Sequence, residues 1–218
     1  MNARQKQAIS IVLALEAEYP QALCSLDYHK PYELLIATRL SAQCTDARVN
    51  IVTLELFSKF PTLQSFAAAS AEDVEKIVRP CGLGATKARD IVRMTNVLLE
   101  KFGSVVPGTM EELLSLPGVG RKTANLIMGD VFKKPAIVCD THCIRINGLL
   151  GLSGSKNPVV VERELLKLIP PEKSSDYCHR MVLHGRAVCK ARKPECSSCC
   201  VADYCDYDIS NKKGQNNE

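Results

Sequence analysis

Tryptophan is absent from these 218 residues, and there are only five phenylalanines and six tyrosines. So few rings argue against a surface that reads single-stranded nucleic acid by base stacking. No stretch approaches the ~18 consecutive apolar residues that span a bilayer, so no membrane partner is expected. The N-terminus, MNARQKQAIS, shows no apolar run behind its basic residues, so no secretory leader is expected and an intracellular location follows. Strand signals are almost missing, the one β-like run being the short Ala136-Ile-Val-Cys139. Repeats and low-complexity tracts are absent too. The net charge of +4 is modest and does not by itself demand a polyanionic partner. Apolar residues make up 46% of the chain, enough for a substantial core.

What is present is helical periodicity. Ala8, Ile11, Val12 and Leu15 fall on one face of a helix over 5–18. Further helices are predicted over 32–40, 46–57, 86–101, 122–131, 141–149, 158–168 and 174–187. Ser70 through Asp73 reads as a capping box opening a helix that ends near Pro80, and Thr109 through Glu112 caps another. The class is all-α, with about ten helices. The polar stretch 209–218 is expected to be a disordered tail.

Eleven cysteines are the strongest compositional feature. An odd count in a chain with no secretory signal argues against a disulfide framework and for metal ligation. Cys189, Cys196, Cys199 and Cys205 follow the pattern C-x6-C-x2-C-x5-C. Four thiolates in so short a loop suit a tetrahedral zinc or a cubic iron–sulfur core. Structural zinc usually takes two close pairs; here there is one close pair and two wider intervals, which favours [4Fe–4S]. Cys200 adjoins Cys199 and could compete as a ligand, though the spacing works without it. Cys24, Cys44, Cys81, Cys139, Cys143 and Cys178 are scattered and read mostly as small buried apolar residues. Between the first two clustered cysteines lie Lys190, Arg192 and Lys193 against a single Glu195, a loop that could be solvated surface but is favoured as a phosphate contact.

A second motif is Leu116-Pro-Gly-Val-Gly-Arg-Lys-Thr-Ala-Asn125. One helix ends at Leu116, Gly118 and Gly120 carry a turn anchored by Val119, and a helix restarts near Arg121. Backbone N–H groups and a positive dipole end at such a turn can receive a DNA phosphate without reading sequence. Lys122 follows at once, in the first turn, where the dipole disfavours an idle cation. That field and partial burial would favour a neutral amine able to attack a sugar C1′ and form a Schiff base. In Ile137-Val-Cys-Asp-Thr-His-Cys-Ile-Arg145, Asp140 reads as a helix N-cap. The same carboxylate can also stabilise an oxocarbenium-like sugar or assist proton transfer, and the two roles can coexist. His142 reads as structural.

LPGVGRKTAN, VCDTH eighteen residues beyond Lys122, and C-x6-C-x2-C-x5-C occur in this order. With Leu40-Ser-Ala-Gln-Cys-Thr-Asp46 and Val182-Leu-His-Gly-Arg186, they make the chain resemble the endonuclease III family over about residues 5–208. The resemblance implies a DNA glycosylase with AP lyase activity in base-excision repair, acting as a monomer. Its partner would be double-stranded DNA with damaged bases, oxidised pyrimidines being expected, or with abasic sites. Lys122 would be the Schiff-base nucleophile and Asp140 the catalytic carboxylate. Gln43 would fill the gap left by the flipped base and Leu83 would wedge beside it. Gly118, Val119, Gly120 and Arg121 would hold DNA, and the four cysteines would bind the [4Fe–4S] cluster. The implied fold is two helical domains with a DNA-binding cleft between them. One is a six-helix domain over 22–133; the other, with the cluster, joins 1–21 to 134–208. Two positions depart from the family's pattern. Gly84 stands where a bulky aromatic is frequent, and Asn147-Gly-Leu-Leu-Gly-Leu152 lacks the usual Asn-Arg pair. An adenine-mismatch glycosylase would lack the nucleophilic lysine and usually carries a further C-terminal domain. A non-catalytic DNA-binding module with zinc is the rival from another class.

Overall fold

The structure, a computed structural model, describes residues 1–215, with side chains as far as Ser210. Among the described residues there are twelve α-helices and no strand. In chain order they are α1 (Ala3–Glu18), α2 (Pro31–Leu40), α3 (Asp46–Lys59), α4 (Leu63–Ala67), α5 (Ala71–Val78) and α6 (Gly84–Phe102). There follow α7 (Met110–Leu114), α8 (Arg121–Asp130), α9 (Thr141–Leu150), α10 (Pro158–Leu165), α11 (Ser174–Ala187) and α12 (Asp206–Gln215). None is long and apolar enough to cross a membrane.

Residues group into two compact units, Cys24–Phe132 and Met1–Leu23 with Lys133–Glu218. In the first, α6 buries Ala88, Ile91, Met94 and Leu98 at helical spacing, and α4 and α5 pack on it. Phe60 and Phe66 meet with ring centroids 5.2 Å apart, closing the α3–α4 corner. In the second unit, Ala8, Ile11, Val12 and Leu15 of α1 join Ile137, Ile146, Leu165 and Met181 in one apolar cluster. Fully buried Tyr177 donates its hydroxyl to Asn147 Oδ1 at 2.6 Å, and Asn147 Nδ2 donates to the Cys143 carbonyl at 2.8 Å. Every polar atom of that pair thus has a partner, as burial requires.

Several local expectations need correction. The β-like run at 136–139 pairs with no strand. Instead the Ala136 N–H donates to Ser174 Oγ at 3.0 Å and the Val138 N–H to Cys178 Sγ at 3.2 Å. Side chains of α11 thus satisfy the donors that a ladder would have taken. Ser70 caps α5 through the Asp73 N–H at 3.1 Å, but the return bond of a capping box is not made. The Asp73 carboxylate accepts the Ser70 hydroxyl instead, at 2.8 Å. α4 has no counterpart in the sequence reading; its box uses Thr62 and Ser65 in place of the usual Glu or Gln. α12 runs through residues 209–215, where a disordered tail was expected, and 216–218 lie outside the described residues.

Candidate functional site

In the unit Cys24–Phe132, the Leu116–Gly120 turn leads directly into α8. The Val119 N–H donates to the Leu116 carbonyl at 3.2 Å, and the Val119 side chain is 8% exposed, so it anchors the turn in the core. Gly118 adopts φ +75°, and a Cβ there would stand 2.9 Å from Arg39 Cδ and 3.0 Å from Asp90 Cβ. Those two residues form an ion pair, 2.7 Å from guanidinium to carboxylate, that supports the turn from below. Gly120 takes the N-cap position of α8, no side chain caps the helix, and a Cβ at Gly120 would meet nothing within 4 Å. The positive end of the α8 dipole therefore lies at a smooth, side-chain-free turn. Arg121 and Lys122 are the first two helical residues and both are exposed. The partial burial expected for Lys122 is not found.

Gln43 and Leu83 lie on the turns after α2 and before α6. Both adopt the left-handed conformation, with φ +57° and +52°, and both side chains are exposed, Leu83 by 58%. Non-glycine residues in this region carry strain and concentrate at sites of function. At Gly84 an added Cβ would lie 3.2 Å from the Arg79 Cα, so the space beside the wedge position is tight for a larger residue. Lys87, to which the sequence reading gave no role, is fully buried, and its Nζ donates to the carbonyls of Leu40, Ala42 and Cys81 at 2.7, 2.7 and 2.8 Å. Burial lowers its pKa. Burial likewise pushes the Cys81 thiol up to about 11, helped by the neighbouring Cys44 thiol.

In the other unit, Asp140 is the N-cap of α9. Its Oδ1 accepts the Cys143 N–H at 2.7 Å, and Oδ2 lies 3.4 Å from His142 Nδ1. The side chain stays 16% exposed, so one oxygen is committed to the helix while the other still faces a polar group.

Cys189, Cys196, Cys199 and Cys205 line one cavity together with Leu149, His184 and Val188. Cys200 does not line it. None of the eleven cysteines is joined in a disulfide. Among the described residues no three His, Cys, Asp or Glu side chains gather tightly enough for a single ion. Two neighbours that the sequence reading left without a role address these sulfurs. Arg145 donates to Cys189 Sγ at 3.6 Å and to the Cys189 carbonyl at 2.7 Å. His184 Nε2 lies 3.5 Å from Cys199 Sγ, and its Nδ1 is 3.2 Å from the Tyr19 hydroxyl. Donors to cluster sulfurs are the groups that tune such a centre, and they are found through the fold rather than through spacing. In the basic loop, Lys190 is paired to Glu195 Oε1 at 2.6 Å, while Arg192 and Lys193 are exposed. The array of two lysines and one arginine expected there thus has one member paired and two turned outward.

Comparison with known proteins accords with this geometry. Residues 36–171 match the HhH-GPD superfamily of base excision DNA repair proteins, and residues 189–205 match the iron–sulfur binding domain of endonuclease III. Endonuclease III of Synechocystis sp. is 43% identical over 206 residues, covering 94% of each chain. A non-covalent endonuclease III–DNA complex superposes with a TM-score of 0.88 at 40% identity, over 98% of this chain and all of that one. A trapped endonuclease III–DNA covalent intermediate also gives 0.88 at 40% identity, over 97% of this chain and all of that one.

Proposed function

The chain belongs to the endonuclease III family, and from that membership we propose that Lys122 is the attacking amine and Asp140 the assisting carboxylate. The protein is a bifunctional DNA glycosylase and AP lyase of base-excision repair that carries a [4Fe–4S] cluster and acts on double-stranded DNA. Its proposed substrates are oxidised pyrimidines and abasic sites, and its proposed setting is intracellular, as a monomer on the duplex.

The observation that supports the assignment of Lys122 is its position: exposed, second in α8, and directly behind a turn with no capping side chain. A phosphate seated at that turn would bring the sugar backbone to the amine. The target nucleotide must first leave the stack, at a cost of a few kcal/mol that is smallest for a damaged base. Gln43 and Leu83 would occupy the vacated space. The Lys122 Nζ adds to C1′ while the C1′–N bond to the base breaks, and the base departs with a proton from the amine. The C1′–O4′ bond then breaks, O4′ takes up a proton as the sugar ring opens, and the nitrogen lone pair forms the C1′=N bond. Positive charge develops on the sugar as the bond to the base breaks, and the ionised Asp140 carboxylate stabilises it. The resulting iminium acidifies the C2′ hydrogen. Loss of that proton drives elimination of the 3′ phosphate, and water then hydrolyses the imine to free Lys122. Cys189, Cys196, Cys199 and Cys205 would hold the cluster, which would pin the loop bearing Arg192 and Lys193 and is not called on in these steps.

Borohydride tests the proposal directly, since it reduces an imine to a stable secondary amine. Incubation with abasic-site duplex should give a covalent protein–DNA adduct whose tryptic peptide carries the modification at Lys122. Strand cleavage with no adduct, or an adduct at another lysine, would overturn it.

A further inference from the structure

We propose that Lys87 is a positioning residue that locks the Gln43 and Leu83 turns in one register so that both side chains can enter the duplex together. The inference rests on reading those two residues as the ones that fill the gap left by an extruded nucleotide.

An ammonium group has three N–H donors and no acceptor. At Lys87 all three are spent on backbone carbonyls from two separate stretches of chain. Leu40 is the last residue of α2, Ala42 directly precedes Gln43, and Cys81 stands two residues before Leu83. The Lys87 backbone joins in, its N–H donating to the Leu83 carbonyl at 3.0 Å. One residue thus holds the approach to Gln43 through its side chain and both flanks of the Leu83 turn through side chain and backbone. A lysine with no exposure and only carbonyl acceptors is unusual, because a buried cation is normally paired with a carboxylate. Charge-assisted bonds are the stronger kind, which suits a tie between two turns.

The tie has something to hold. Gln43 and Leu83 are two of only four non-glycine residues with positive φ among those described. Left alone, each turn would relax toward the allowed regions and swing its side chain away. Leu83 is exposed and makes no cap bond, so its own side chain does not fix it. Holding two wedges ready removes ordering cost at the moment of binding, and that gain applies to the gapped duplex alone. Undamaged duplex, held through phosphates, would not need it.

The test uses the holoenzyme and Lys87→Met, which keeps an unbranched side chain, one atom shorter, and removes all three donors. Affinity is measured for a duplex with a tetrahydrofuran abasic analogue and for the undamaged duplex, with 2-aminopurine placed beside the site to report unstacking. The expected result is a fall of about tenfold or more in the ratio of the two affinities, with a weaker 2-aminopurine signal and unchanged affinity for undamaged duplex. A wild-type ratio and signal would overturn the inference. So would an equal loss on both duplexes with a lowered melting temperature, which is what a merely structural lysine would give. Should Lys87→Met not fold, Lys87→Gln carries the same test, because a carboxamide has only two N–H donors on a shorter stem and cannot satisfy all three carbonyls; a wild-type ratio there overturns the inference equally. Gln43→Ala and Leu83→Ala are measured alongside. If neither lowers the ratio, the gap-filling reading fails and takes the Lys87 role with it. If they lower it and the Lys87 variants do not, only the role of Lys87 fails.

Discussion

One carboxylate oxygen of Asp140 accepts the backbone N–H of Cys143 at 2.7 Å, which makes the proposed catalytic carboxylate also the N-cap of α9. The two roles separate by substitution. Asparagine caps a helix about as well as aspartate, so Asp140→Asn should leave the melting temperature nearly unchanged. It removes the charge, so the single-turnover rate of base release should fall ~100-fold or more. Asp140→Ala should lose the rate and also about 1 kcal/mol of stability with the cap. A normal rate in Asp140→Asn would leave this residue as a cap alone.

Lys122→Gln should abolish base release and borohydride trapping while leaving lesion-duplex binding close to wild type. Lys122 is exposed, so stability should stay within about 0.5 kcal/mol of wild type. Gel-resolved trapping together with fluorescence anisotropy on the same preparation checks both halves. Wild-type trapping in this variant would remove Lys122 from the mechanism.

How much of this was legible in the sequence depends on how local each feature is. The α1 face, the Thr109 and Asp140 caps and the Val119 anchor all follow from neighbours within four positions, and the structure shows them in place. The lining of one cavity by four cysteines follows from close spacing. Lys87 was not legible, because a lysine in an amphipathic helix reads as surface and its Leu40 acceptor lies 47 positions away. The pairing of Lys190 with Glu195 was missed because loop geometry, unlike helix geometry, has no fixed offset for neighbours. The left-handed backbone of Gln43 and Leu83 carries no sequence signal, since neither is a glycine or asparagine.

The two glycines of the α8 turn should respond differently to alanine. Gly118→Ala puts a methyl group 2.9 Å from Arg39 Cδ in a backbone conformation that L-residues resist. It should cost roughly 1–3 kcal/mol, read as a lower melting temperature. Gly120→Ala meets no neighbouring atom, so it should lose only the difference between glycine and alanine as an N-cap, on the order of 0.5–1 kcal/mol. If a phosphate docks against this turn, the Gly120 methyl should still weaken binding to damaged and undamaged duplex alike. Unchanged duplex affinity in a well-folded Gly120→Ala would move the phosphate elsewhere.

The basic loop offers a test in which paired and unpaired charges behave differently. The Glu195 N–H donates to the Val188 carbonyl at 3.1 Å, which closes the loop, and cluster ligation by Cys189 and Cys196 would pin its ends. Neutralising Arg192 and Lys193 together should weaken binding to damaged and undamaged duplex equally, because phosphate contacts carry no sequence information. The slope of log affinity against log salt should shrink by up to about 1.8 for two lost contacts. Lys190→Gln should change the slope far less, because its ammonium is already engaged by Glu195 at 2.6 Å. Glu195→Gln should do the opposite: it frees Lys190 to meet a phosphate and should steepen the slope by up to about 0.9. None of these four residues is a cluster ligand, so iron content and visible absorbance should match wild type in every variant. A double variant that keeps the wild-type salt slope would show that Arg192 and Lys193 face solvent rather than DNA, leaving the turn before α8 as the main phosphate anchor.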